Sequence, residues 1–271
     1  MLGNIGIAIM VEYELGLLDF LRMTNRSGIS YVEFRCERPI FYPGDLDFQR
    51  RSRLRRVLEN LSITPLIHAP FQDVNLASLN PLKRRASVTR LKECIELAND
   101  INAELVVVHP GHLPKDHPES MLSQSRLNLI DSIGDVIEIA EGFDITLALE
   151  NTHKGVECGV IRFPEDYFDI IGRFDSPYLK AAFDVGHANT FNMDLGASIL
   201  KISGYLVNIH IHDNDGKSDR HLPVGEGIID FGYVLEVLKK LDYKGPLIIE
   251  NATLEDAIKS RKRLDEIWNS L

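Results

Sequence analysis

Cysteine is scarce in this chain. Its three residues, Cys36, Cys94 and Cys158, are odd in number and widely spaced, which argues against a disulfide framework. A reducing compartment fits, and the expected location is cytoplasmic. No apolar run reaches membrane-spanning length, so no membrane partner is expected. The short apolar stretch from Ile5 to Met10 has no basic residue ahead of it and reads as a first strand, not a leader peptide. Low-complexity tracts, linkers and a Gly-x-Gly-x-x-Gly strand–turn–helix fingerprint are also missing, which removes disordered and dinucleotide-binding classes. Net positive charge is absent too. A formal charge of −10 weakens a nucleic-acid substrate without excluding it, because phosphate binding needs local positive potential.

What the chain does have is a repeated alternation. With 44% hydrophobic residues it has ample material for one large core. Short apolar runs at Ile5–Ala8, Tyr31–Phe34, Thr64–Ile67, Leu105–Val108, Thr146–Leu149, Leu179–Phe183, Leu206–Ile211 and Leu247–Ile249 read as strands. Between and after them, amphipathic periodicity predicts helices near Glu14–Arg26, Phe48–Leu61, Leu82–Ile101, Gln124–Glu141, Phe163–Arg173, Leu195–Ser203, Phe231–Leu241 and Leu254–Trp268. Eight strand–helix units at this length indicate an α/β fold, a single (β/α)8 TIM barrel spanning residues 1–271. An open doubly wound sheet is the rival, but it would not bring residues from six strands to one point.

Polar residues stop the apolar runs. His68, His109, Glu150 and Glu250 each follow a buried-looking strand, and Asp184 and His210 end two more. In a barrel these side chains converge at the C-terminal ends of the strands, where such enzymes place their chemistry. His187, Asp219 and His221 lie just beyond, on loops at the same rim. All nine donors are nitrogen or oxygen, which suits Zn²⁺, Mn²⁺, Co²⁺ or Mg²⁺ and excludes a thiolate site. A carboxylate after several apolar residues is costly to bury unless paired or bound to a cation, so Glu150 and Glu250 carry the most weight. In His210-Ile211-His212 the two imidazoles point the same way at different heights. Here His210 is taken as a ligand and His212 as a supporting group or substrate contact. Two basic clusters, Arg50 to Arg56 and Lys83 to Arg85, read first as solvated helix faces and second as a place for a phosphate-bearing partner.

Taken together, several motifs resemble the xylose-isomerase-like barrel superfamily, which includes sugar isomerases and epimerases and the endonuclease IV class of abasic-site nucleases (AP endonuclease family 2). They are His68-Ala69-Pro70-Phe71, His109-Pro110-Gly111, Leu149-Glu150-Asn151-Thr152, Asp184-Val185-Gly186-His187, His210 to His221 with Gly225-Glu226-Gly227, and Glu250. The isomerase branch implies one Mn²⁺, Mg²⁺ or Co²⁺ held by Glu150, Asp184, His210 and Glu250. Glu150 and Glu250 would then act as catalytic base and acid on a small sugar or sugar phosphate, and His187, Arg220 and His212 would contact substrate. The nuclease branch implies up to three zinc ions and a DNA partner. There His68, His109 and Glu150 would hold one ion, Glu150, Asp184, His210 and Glu250 the second, and His187, Asp219 and His221 the third. An extra residue before Asn75, Phe71-Gln72 beside it, and a short His210-to-Asp219 connection depart from the nuclease pattern. An isomerase or epimerase is therefore the expected activity, and an abasic-site endonuclease the alternative.

Overall fold

The computed structural model describes residues 3–10, 16–39, 41–114, 116–156 and 158–271. Eight strands run β1 (Ile5–Ala8), β2 (Tyr31–Arg35), β3 (Thr64–His68), β4 (Leu105–Val108), β5 (Thr146–Glu150), β6 (Leu179–Asp184), β7 (Leu206–Ile211) and β8 (Leu247–Ile249). They pair in parallel and in chain order, and β8 returns to β1 through Ile5↔Leu247 and Ile7↔Ile249 to close the barrel. The fold is a (β/α)8 TIM barrel.

Helices α1 (Leu17–Arg26), α2 (Phe48–Asn60), α3 (Pro81–Ile101), α4 (Leu122–Gly142), α5 (Pro164–Ile171), α6 (Val185–Asn189), α7 (Leu195–Ile202), α8 (Phe231–Lys240) and α9 (Leu254–Ser270) connect and cover the strands. The start expected for the first helix, Glu14 and Leu15, lies outside the described residues. Helix starts are set by short polar side chains. Asp47, Asn80, Asp194, Asp230 and Thr253 each accept from a backbone N–H in the first turn, which satisfies donors the helix itself cannot. The periodicity did not anticipate α6. Five residues are too few to show a helical period, and its N-cap is Asp184, which accepts from His187 N at 2.6 Å. Among the described residues no helix is long and apolar enough to cross a membrane.

Side chains alternate across each strand, so one row faces the helices and the other the barrel axis. The outer row, including Ile7, Phe34, Ile67, Val106, Leu149, Phe183, Ile209 and Ile249, joins the main core with the helices. The inner row begins with a small separate apolar layer of Ala8, Leu66, Leu105, Val107, Ala148, Ala182 and Ile248. Two residues further along the same rows come His68, His109, Glu150, Asp184 and Glu250. A register shift between Ala181 and Ala182 brings Asp184 level with His210 on β7. The apolar layer plugs the barrel, and the polar layer above it is the floor of whatever binds there.

Candidate metal centre

A cavity of about 400 Å³ opens at the strand C-termini and is lined in part by His68, His109, Glu150, His187, Asp219, His221 and Glu250. Asp184 and His210 lie beneath it and are fully buried. Glu150 is the hub. Its Oε2 is 2.8 Å from His109 Nε2 and 3.3 Å from His68 Nε2, while its Oε1 is 2.8 Å from His210 Nδ1. One carboxylate thus presents each oxygen to a different imidazole group. Glu250 Oε1 approaches the same His210 Nδ1 at 3.4 Å, and Asp184 Oδ2 lies 3.9 Å away.

A third group forms where β6 and the loop after β7 meet. Asp219 Oδ2 stands 3.2 Å from His221 Nε2 and 3.4 Å from His187 Nε2. His212 joins this group: its Nε2 is 3.1 Å from Asp184 Oδ1, and its ring stacks on His221 with centroids 4.0 Å apart. Close packing here requires Gly186, because a Cβ at that position would sit inside the His212 ring. Potential ligand atoms lie within 4.8 Å of one another in His68–His109–Glu150, in Glu150–Asp184–His210, in His187–His212–Asp219–His221, and in Glu33–His68–His210–Glu250.

The loop bearing Asp219 and His221 is held by a residue that sequence reasoning passed over. Asp213 is fully buried; its Oδ1 accepts from Asn214 N and Ile229 N, and its Oδ2 from Gly225 N and Gly227 N, at 2.9 to 3.1 Å. One carboxylate clamps both ends of the loop, and Gly227 has no room for a Cβ against it. Four charge-assisted bonds to backbone explain how a polar, connecting segment delivers two side chains to a fixed place.

Charge balance bears on what the cluster holds. Glu33, Glu150, Asp184 and Glu250 are buried, and burying carboxylates is costly without compensating positive charge. Burial raises the Glu150 carboxyl, but His210 and His109 overcome it and hold that group well below the usual range. Burial likewise opposes ionisation of Asp184, yet His187 and His212 bring it to about 2. His221 responds in the opposite sense: burial lowers it, and Asp219 lifts it to about 9. Asp219 also keeps one buried oxygen, Oδ1, with no hydrogen-bond donor. An all-nitrogen-and-oxygen donor set, four buried carboxylates gathered in one cluster and an orphaned carboxylate oxygen fit a divalent cation.

Two sequence expectations do not reach the cavity wall. Arg220 is about half exposed, 3.9 Å from Asp215, and absent from the lining. Its polar, turning loop aims it outward. His212 is fully buried under the third group, so it supports Asp184 instead of facing the cavity. His187 does line the cavity, as do His112 and His153, to which the sequence assigned no role. In the basic clusters, Arg51 is tied to Asp100, Leu46 O and Pro43 O, and Arg84 to Ser78 O. Those two guanidinium groups brace the α2 and α3 approaches.

Glu33, inside β2, is the other residue missed. It is fully buried, and its Oε2 faces His210 Nε2 and Asn208 Nδ2, each at 3.2 Å. If Nε2 carries the proton and donates to Glu33, Nδ1 is left with its lone pair toward Glu150, Glu250 and Asp184. Glu33→Gln is expected to weaken divalent-ion affinity about 10- to 100-fold. Metal titration against a chelating dye checks this, and unchanged affinity would reduce Glu33 to packing.

The profile for the xylose isomerase-like TIM barrel matches residues 21–267. The chain belongs to this family. A relative, the uncharacterized protein MJ1311 of Methanocaldococcus jannaschii, is 36% identical over 217 residues, covering 79% of this chain and 73% of its own. L-ribulose-5-phosphate 3-epimerase UlaE of Escherichia coli O1:K1 is 22% identical, with 88% and 84% covered. The crystal structure of a D-tagatose 3-epimerase-like protein superposes with a TM-score of 0.86 at 29% identity, covering 98% of this chain and 97% of the other.

Proposed function

We propose that this protein is a divalent-metal-dependent epimerase or isomerase of small sugars. The observation that carries the reading is the meeting of two cavity-lining carboxylates, Glu150 from β5 and Glu250 beyond β8, at one imidazole nitrogen. His210 Nδ1 is 2.8 Å from the first and 3.4 Å from the second. Glu150, Asp184, His210 and Glu250 would hold the cation. When bound, it would polarise a ketose carbonyl and make the hydrogen on the adjacent carbon more acidic. The similarity to a D-tagatose 3-epimerase-like protein and to L-ribulose-5-phosphate 3-epimerase supports the same chemistry.

The remaining work falls to the protein. One glutamate takes the proton from the carbon beside the carbonyl, and the other returns a proton to the opposite face, so the stereocentre inverts with no net change in atoms. His187, on the cavity wall, is placed to bind a substrate hydroxyl. His68 and His109, both on Glu150 Oε2, orient that carboxylate and limit its basicity. A cavity of about 400 Å³ suits a single sugar.

Phosphodiester hydrolysis is the second reading, favoured by one observation: Glu150 divides its oxygens between two groups while His187, Asp219 and His221 form a third. That arrangement suits three zinc ions and abasic-site DNA as partner. His221→Ala separates the readings. Epimerisation is expected to retain a substantial part of its rate, whereas nicking of abasic DNA would be lost. Severe loss of ketose proton exchange in this variant, with nicking present in the parent protein, would favour the hydrolase.

A further inference from the structure

Arg35 ends β2, level with His68 on β3, and lines the cavity. Neither the metal cluster nor the proton transfer uses it. Its Nε is buried without a hydrogen-bond partner, and among the described residues its Nη1 donates only to the Met10 thioether sulfur, at 2.9 Å. Thioether sulfur is a weak acceptor, so a group with five N–H donors is left largely unsatisfied. Among the described residues it makes no ion pair; its charge acts on Glu250 in the same cavity only at longer range, while His210 at 3.4 Å and His221 at 3.6 Å stand closer to that carboxylate.

The guanidinium is nonetheless held in place. It lies over the Phe71 ring at 5.0 Å, and that ring stacks on His109 with centroids 4.7 Å apart. The backbone there is anchored by Glu37, whose Oε1 accepts from Phe71 N at 2.7 Å and Gln72 N at 3.0 Å. A cation fixed on an aromatic platform and facing a cavity, its Nε buried without an acceptor and, among the described residues, only Glu250 acting on its charge from a distance, keeps donors and charge that a ligand can meet. Sugar hydroxyls accept hydrogen bonds but carry no charge. A phosphate or carboxylate does both, and its oxygens match the planar fork.

We propose that Arg35 is an oxyanion-binding residue of the substrate site, so that the sugar taken by this protein carries a phosphate or carboxylate group. The inference rests on the sugar-epimerase reading and narrows its substrate class.

Calorimetry on the metal-loaded protein tests it with three probes: a ketopentose, its 5-phosphate, and a keto-hexuronate carrying a carboxylate. The parent protein is expected to bind one of the anionic probes about 10- to 100-fold more tightly than the neutral sugar. In Arg35→Gln that ratio collapses towards one, and in Arg35→Lys part of it returns. A change in the cavity alone would shift all probes together and leave the ratio intact. Which anionic probe shows the preference distinguishes phosphate from carboxylate. A ratio near one in the parent, or one that survives in Arg35→Gln, overturns the assignment. Deuterium exchange into the neutral ketose, run in parallel, separates the two claims. Exchange without anion preference leaves the epimerase reading standing and removes this inference. An Arg35-dependent preference without exchange on any probe does the reverse.

Discussion

Glu150→Gln is expected to lower proton exchange at the substrate carbon by about 10²- to 10⁴-fold, the range typical of a lost general acid or base. The position gives reasons to expect the upper end. The amide keeps the shape of the side chain but removes the negative charge that His68, His109 and His210 face at 2.8 to 3.3 Å. It also places an NH2 donor against His210 Nδ1, which would have to present its lone pair to the cation. Exchange and metal content should therefore fall together. Deuterium incorporation measured by mass spectrometry, alongside elemental analysis, checks both. Exchange within threefold of the parent rate would remove Glu150 from the reaction.

Stripping the protein with a chelator is the second large effect. Activity is expected to fall to background, and restoring a divalent ion should recover it. The folded protein should also melt earlier. An ion present at a hundred times its dissociation constant contributes about 2.7 kcal/mol to stability. For a chain of this size that corresponds to a fall on the order of 5–10 °C on removal. The physical reason lies in the buried carboxylates Glu33, Glu150, Asp184 and Glu250, whose compensation passes to the neighbouring imidazoles once the cation leaves. Thermal melts with and without chelator, followed by activity, read the outcome. An unchanged melt with full activity would contradict the cation assignment.

The barrel was legible because each strand is a short apolar run ending on a polar residue, a local pattern that survives without any tertiary information. His68, His109, Glu150, Asp184 and Glu250 stood out for that reason, and the fold places all of them in or just beneath one cavity floor. Glu33 did not stand out because it lies between Val32 and Phe34 inside β2 and so breaks the apolar run without ending it, while Arg35 does end β2 but carries a guanidinium, which is no metal donor and so did not join the ligand set. Period two would have flagged them, since both fall on the inner row with Tyr31. Asp213 was hidden differently: it sits in a polar stretch, and its four backbone donors come from as far as Ile229. Spacing could not decide His212 and Arg220 either. Burial beneath Asp184 in one case, and an outward loop in the other, depend on contacts that only the folded chain specifies.

The central claim is that the two glutamates move a proton at a ketose carbon. Incubating the divalent-ion-loaded protein in D2O with a panel of ketoses, ketose phosphates and keto-uronates, then recovering the sugars for mass spectrometry, tests it most directly. The account predicts one deuterium gained at the carbon beside the carbonyl of at least one sugar, with its epimer or isomer appearing and both effects absent in Glu150→Gln. No exchange on any of them, together with cleavage of abasic DNA by the same preparation, would contradict it and leave the phosphodiesterase.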